Sequence, residues 1–294
     1  MTVTIDRLTD ASAGTVTLGD LEVRRLGYGA MRITGQGVWG DPPDREASKT
    51  VLRRVVDLGV TFIDTADSYG PGTSEELIAE ALHPYPQGLV IGTKAGLVRP
   101  APSRWDPDGR PEYLRAACED SLRRLRLERI DLYQLHRPDP AVPYEESLGA
   151  LVELRRQGKI RHIGVSNVDP AQLRLALAIA GPVSVQNRYN LADRESEPVL
   201  RLCEEHRLAF LPWFPLATGK LAGPGSPLEG IARRLDATPG QVALAWLLHV
   251  SPATLLIPGT NSVDHLEENV AAAAVALSDQ DLAELEEAST AARS

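Results

Sequence analysis

Cysteine is scarce in this chain. Only Cys118 and Cys203 occur among 294 residues, too few for a disulfide framework, and neither has metal-ligand spacing around it. Both fall in apolar helical patterns, Cys118 with Leu114, Leu122 and Leu125, Cys203 with Val199 and Leu202, so two buried thiols are expected. Positive charge is also in short supply: 31 Lys and Arg stand against 40 Asp and Glu, a formal charge of -9. That balance argues against a nucleic-acid or anionic-membrane partner, and it means that an anionic ligand must be held by local donors. Long apolar runs are missing too. None would span a bilayer, and residues 1–14 lack the apolar core of a secretion signal, so a cytoplasmic setting is expected. No linker, low-complexity tract or composition break divides the chain. Residues 1–294 are therefore expected to form one domain, with 1–14 as a flexible or irregular lead-in.

What is present is alternation. Thr15-Val16-Thr17-Leu18, Gly19-Asp20 and Leu21-Glu22-Val23-Arg24-Arg25-Leu26 read as a β-hairpin. After it, short apolar runs predict strands near 26–31, 61–66, 89–94, 130–136, 162–167, 183–188, 208–214 and 254–258. Helical patterns lie between them, over about 45–58, 73–82, 111–127, 144–157, 169–180, 194–206, 238–249 and 262–275. Parallel neighbours need crossover helices, and eight such units favour closure into a (β/α)8 barrel over an open sheet. The hairpin is then free to plug the amino-terminal end, and the pattern at 278–292 adds a helix outside. Helix starts are marked at Thr73-Ser74-Glu75-Glu76 and Thr238-Pro239-Gly240-Gln241, both of capping-box form, and at Asp169-Pro170.

Residues at the carboxyl ends of barrel strands share one mouth. Asp64 ends the run Phe62-Ile63-Asp64, Lys94 ends Val90-Ile91-Gly92-Thr93-Lys94, and His136 follows Ile130-Asp131-Leu132-Tyr133-Gln134-Leu135. Tyr69 stands five residues beyond Asp64, before Gly70-Pro71-Gly72. Singly, each has a plain structural reading: a turn-capping acid, a rim aromatic, a solvated lysine, a satisfied core histidine. On one barrel the four converge, and those separate readings do not account for the set.

The four residues resemble the catalytic tetrad of the aldo-keto reductases. The likeness runs from Leu26-Gly27-Tyr28-Gly29 to Asn269. Gly158-Lys159-Ile160-Arg161-His162-Ile163-Gly164-Val165-Ser166-Asn167 is similar to the family's fifth-strand signature, and Gln186 lies in the matching place on the sixth strand. Pro212-Trp213-Phe214-Pro215-Leu216-Ala217-Thr218-Gly219-Lys220-Leu221 resembles its seventh-strand loop, and Ile257-Pro258-Gly259-Thr260-Asn261-Ser262 with Glu267-Glu268-Asn269 its phosphate and adenine end.

The resemblance implies carbonyl reduction by hydride transfer from a nicotinamide. Tyr69 would be the general acid, Lys94 would lower its pKa by roughly 1–3 units, Asp64 would keep Lys94 charged, and His136 would hydrogen-bond the carbonyl oxygen. Ser166, Asn167 and Gln186 would hold the carboxamide, and Trp213 would stack on the ring where tyrosine is commoner. Gly29, Ala30, Met31, Phe214, Pro215, Leu216, Gly219 and Leu221 would border the cofactor. Pro258, Gly259, Thr260, Asn261, Ser262, His265, Glu268 and Asn269 would meet its adenosine phosphate end, with a helix start near Ser262 offering free N–H groups. Asn261 and His265 replace the usual cations there, which should weaken recognition of the 2′-phosphate; NADP(H) is favoured all the same, with NAD(H) left open. Tyr28, Trp39, Trp105 and Arg137 are candidates for the pocket of a small carbonyl substrate, and 99–110, rich in Pro, Gly and charge, for a mobile rim. Within the family, Leu26-Gly27-Tyr28-Gly29-Ala30-Met31-Arg32 followed by Trp39-Gly40 resembles bacterial reductases of the pyridoxal-reducing type.

Two other readings compete. A barrel lysine beside an acid and a tyrosine is also how Schiff-base aldolases present their nucleophile, but such an enzyme has no use for Ser166, Asn167, Gln186 or the 258–260 loop. A regulatory protein of the same fold could keep the nicotinamide as a redox sensor, although the intact tetrad argues for turnover.

Overall fold

The computed structural model describes residues 13–215 and 227–293. Two short strands, β1 (Thr15–Leu18) and β2 (Leu21–Arg24), pair antiparallel. Their inward side chains Leu18 and Val23 pack against Phe62, Val90, Leu132, Ala209 and Leu255, so the hairpin closes the amino-terminal end as expected.

The chain then alternates. First come β3 (Tyr28–Gly29), α1 (Arg45–Asp57), β4 (Phe62–Asp64), α2 (Thr73–Leu82) and β5 (Val90–Ala95). A second antiparallel hairpin follows, β6 (Leu97–Ala101) with β7 (Arg104–Pro107), before α3 (Pro111–Leu125). Next are β8 (Ile130–Leu135), α4 (Tyr144–Arg156), β9 (Ile160–Ser166), α5 (Pro170–Ile179), β10 (Ser184–Arg188), α6 (Glu197–His206) and β11 (Ala209–Trp213). The last helices are α7 (Pro227–Arg234), α8 (Pro239–Val250), α9 (Val263–Ala271) and α10 (Asp279–Arg293).

The seven parallel strands pair in the order β3-β4-β5-β8-β9-β10-β11. The ring closes through the segment around 254–258. Phe210 bridges Thr254 and Leu26 bridges Leu256, with the Gly27 amide donating to the Leu256 carbonyl at 2.8 Å. The predicted eighth strand is thus two single bridges rather than a ladder. Pro258 gives a carbonyl to the Gly29 amide at 3.3 Å but has no N–H to offer in return. Gly29 and Gly259 are needed here, since a Cβ on either would come within 2.5–2.6 Å of a carbonyl oxygen of the facing segment. The architecture is a (β/α)8 barrel, with α10 added after α9.

Local signals were read with mixed success. Thr238 and Asp169 form full capping boxes with Gln241 and Gln172. Thr73 does not: Gly72, at φ 89°, occupies the cap position, and the Thr73 hydroxyl turns back to donate to the Gly70 carbonyl at 2.7 Å. The segment 99–110 is an ordered hairpin over much of its length, and α7 lies in a stretch that carried no predicted element. Cys118 and Cys203 are buried among apolar neighbours, and burial pushes the Cys118 thiol up to about 12. No helix among the described residues is long and apolar enough to cross a membrane.

Candidate active site

Alternation along β4, β5 and β8 brings a few polar side chains to the carboxyl end of an otherwise apolar interior. Asp64 closes β4 beside Gly92 of β5, and two residues further Lys94 pairs in register with Gln134 of β8. Both members of the central pair are withdrawn from water: the side chains of Lys94 and Asp64 are 0% and 3% exposed, with Nζ donating to Oδ2 at 2.7 Å. A buried ion pair survives only if its remaining capacity is met. It is met here: Nζ also donates to the Thr65 carbonyl at 2.8 Å, and the other oxygen of Asp64 accepts from Gln186 at 2.9 Å and Gln134 at 3.2 Å.

Tyr69 lies over this pair, with Lys94 Nζ 5.1 Å from its ring centroid. Its edge-on neighbours are His136, at 5.9 Å between centroids, and Trp105, at 6.4 Å. Burial disfavours the phenolate, and the Lys94 charge only partly offsets it, so the Tyr69 pKa lies above its ordinary value. The expected lowering is therefore corrected: the cation pulls as foreseen, but desolvation outweighs it. Burial presses hardest on the Lys94 ammonium, yet Asp64 and Tyr69 together outweigh it and hold its pKa above the usual lysine value. His136 is driven well below its ordinary value by burial, then by Lys94 and Arg137. At neutral pH the set is a protonated phenol, an ammonium–carboxylate pair and a neutral imidazole. Such a set can donate a proton and a hydrogen bond to one oxygen. It suits a Schiff-base nucleophile poorly, because Lys94 is both charged and inaccessible.

Asp64, Tyr69 and His136 open on a cavity of about 600 Å³, whereas Lys94 is buried and outside its lining. Of the expected residues, Gly29, Met31, Asp64, Tyr69, His136, Ser166, Asn167, Gln186, Trp213, Phe214, Pro215, Pro258 and Gly259 line it, as do Trp105 and Arg137. Asn167, at the left-handed φ of 58°, turns the chain out of β9. Its amide nitrogen donates to the His136 carbonyl at 2.9 Å and to Ser166 Oγ at 3.0 Å, while its oxygen accepts from Trp213 Nε1 at 3.2 Å. The indole is thereby fixed at the cavity wall.

Other expected residues stand elsewhere. Tyr28 is fully buried in the core, with its hydroxyl donating to the Thr260 carbonyl at 2.6 Å, so it is no pocket residue. Trp39 does not line the cavity but lies 5.6 Å from the Arg99 guanidinium. Ala30 is buried, its carbonyl accepting from Ser74. Ser262 caps α9 through His265 N, with Asn261 and His265 exposed beside it. Glu268 is engaged by the Thr238 hydroxyl, and Asn269 sits near the end of α9. Leu216, Gly219 and Leu221 lie outside the described residues.

Sequence reasoning missed Arg32, Leu97 and Ile257, which also line the cavity, and Gln134. The last carried a signal, since Leu132, Gln134 and His136 share one face by alternation and a glutamine there needs a polar partner.

Comparison with known proteins bears on the whole chain. Residues 25–290 match the model of the aldo/keto reductase family. An uncharacterized oxidoreductase of Schizosaccharomyces pombe is 50% identical over 279 residues, covering 95% of this chain and 91% of the yeast protein. The pyridoxine 4-dehydrogenase of Escherichia coli is 45% identical over 94% of this chain and 98% of its own length. Among solved structures, an aldo/keto reductase from Klebsiella pneumoniae in complex with NADP and acetate superposes with a TM-score of 0.80 at 30% identity, covering 93% and 94% of the two chains. With its barrel, its strand-end polar cluster and these relatives, the chain belongs to the aldo/keto reductase family and is an NAD(P)H-dependent oxidoreductase.

Proposed function

We propose that the protein reduces an aldehyde or ketone to the alcohol with NADPH, Tyr69 delivering the proton. The observation that carries this is the buried Lys94–Asp64 pair under a protonated Tyr69, beside a neutral His136, at one cavity. The bound nicotinamide supplies the hydride. Tyr69 gives its hydroxyl proton to the carbonyl oxygen as charge develops there, and Lys94 steadies the phenolate left behind. The neutral His136 donates a hydrogen bond to the same oxygen. A phenol raised above its ordinary pKa is a resting acid at neutral pH, which suits reduction better than the reverse reaction.

The residues present fit a nicotinamide. Trp213, held by Asn167, offers a flat face on the cavity wall, and Ser166 supplies a hydroxyl there. Gln186 donates one amide hydrogen to Asp64, which leaves its oxygen to accept from a carboxamide. Beyond Gly259, the start of α9 offers backbone N–H groups and a positive dipole end to a phosphate. NADPH is favoured because the Klebsiella neighbour was crystallised with NADP. For the substrate, the similarity to pyridoxine 4-dehydrogenase and the indole of Trp105 at the cavity point to a flat aromatic aldehyde of the pyridoxal kind.

The test is a separate titration of the protein with NADPH and NADH, followed by tryptophan fluorescence, then assay of pyridoxal reduction. Saturable quenching by NADPH at micromolar concentration is expected. Binding of neither cofactor, confirmed by calorimetry, would refute the reading.

A further inference from the structure

Arg99 joins three loops on the Trp105 side of the cavity, and no carboxylate among the described residues pairs with it. It is 8% exposed. Its Nε donates to the Arg104 carbonyl at 3.1 Å, Nη1 to those of Val38 at 2.9 Å and Ser68 at 3.4 Å, and Nη2 to those of Gly37 at 3.0 Å and of Pro102. A guanidinium has five N–H donors, and five backbone carbonyls take them. The Trp105 ring lies 3.6 Å from its central carbon and the Trp39 ring 5.6 Å. Burying a cation without a counter-ion is costly, so a site that satisfies every donor with main-chain oxygens fixes geometry rather than charge.

The geometry it fixes leads to the reacting groups. The Ser68 carbonyl belongs to the peptide that joins Ser68 to Tyr69. Ser68 Oγ lies 3.4 Å from His136 Nδ1, and Trp105, stacked on Arg99, meets the edge of Tyr69. We propose that Arg99 is a positioning residue, which through Ser68 and Trp105 sets the place of the Tyr69 hydroxyl and the tautomer of His136. A neutral imidazole carries one proton, and a Ser68 hydroxyl donating to Nδ1 leaves that proton on Nε2. The other groups facing His136 are Lys94 on β5, Tyr69 after β4 and its chain neighbour Arg137; the two cations only donate, so neither would hold an Nδ1 proton. This inference rests on the proposed roles of Tyr69 and His136 but can fail independently of them.

The test is the imidazole nitrogen spectrum of ¹⁵N-histidine-labelled protein with NADPH, for the wild type, Arg99→Lys and Ser68→Ala. Lysine keeps the charge but has three donors and no planar fork. The wild type is expected to show His136 neutral at pH 7 with its proton on Nε2. Both variants should show a mixture of tautomers, and kcat for pyridoxal should fall about tenfold or more, as small misplacements of reacting groups do, with NADPH affinity within about twofold. An Nδ1–H tautomer in the wild type, or an unchanged spectrum in both variants, would overturn the inference. Should Arg99→Lys not fold, Arg99→Gln takes its place, and Ser68→Ala tests the hydroxyl contact to Nδ1 by itself. Full activity in Tyr69→Phe would instead strike the proton-donor reading and leave the tautomer result standing.

Discussion

Asp67 offers a sharp test of how burial sets the electrostatics around Tyr69. It is 9% exposed, its Oδ2 accepts from the Tyr113 hydroxyl at 2.7 Å, and its Oδ1 has no partner. Burial, and then the neighbouring Glu75, raise its pKa from 3.8 to about 7, against the pull of Tyr113 and Arg124. Folded protein therefore keeps a proton that the unfolded chain loses near pH 4. Between those values the native state binds more protons than the unfolded one, so stability falls as pH rises and levels off above about 7. At 1.36 kcal/mol per unit, the whole effect is about 4 kcal/mol, with about 3 kcal/mol of it between pH 5 and 8. Asp67→Asn keeps an acceptor for Tyr113 and removes the ionisation. Urea unfolding of wild type and variant at pH 5, 6, 7 and 8 should show the variant gaining steadily on the wild type by about that amount. Parallel curves, or a variant that loses ground as pH rises, would refute the claim that Asp67 is buried in its neutral form.

Other perturbations address the proposed chemistry. Tyr69→Phe should cost about 10²–10⁴ in kcat with NADPH affinity nearly unchanged, measured by steady-state kinetics and fluorescence titration. Lys94→Met strands Asp64 as a buried unpaired charge, and should lower unfolding stability by about 3–5 kcal/mol, read by denaturation, besides abolishing turnover. Asn261→Arg should tighten NADPH and leave NADH unchanged, as titrations of both would show; equal effects would remove Asn261 from the phosphate site.

The barrel and the convergence of Asp64, Lys94 and His136 were legible because both rest on pattern. A run ending in a polar residue at a strand end leaves little choice of position. What escaped the pattern depends on depth and on distant partners. Tyr28 reads as a mouth residue because it follows Gly27, yet it points into the core and reaches a carbonyl 232 positions away. The lysine beside Tyr69 foretells a lowered pKa, but the extent of burial that reverses the net shift is a property of the closed barrel. Arg99 sits in a stretch whose prolines, glycine and charges suggest a mobile rim. Its order comes from the Gly37, Val38 and Ser68 carbonyls supplied by other loops. Gln134 was visible as a polar residue in an apolar strand, without a hint that Asp64 was its partner.

Asp64, Tyr69, Lys94 and His136 come from consecutive strands of one arc of the barrel, β4 to β8. Ser166, Asn167, Gln186, Trp213 and Pro258 come from the other. The arcs meet along the β8–β9 ladder, through the Asn167 bond to the His136 carbonyl and through the Gln186 bond to Asp64. On the proposed roles, proton delivery and the nicotinamide seat thus lie on separate stretches of the gene. Substitutions that retune one reach the other at a single side-chain contact of the central pair, Gln186 to Asp64. On those roles, a chimaera of two relatives joined within α4 would take its acid from one parent and its nicotinamide seat from the second, and Gly29 of the first would have to fit Gly259 of the second at the closing seam.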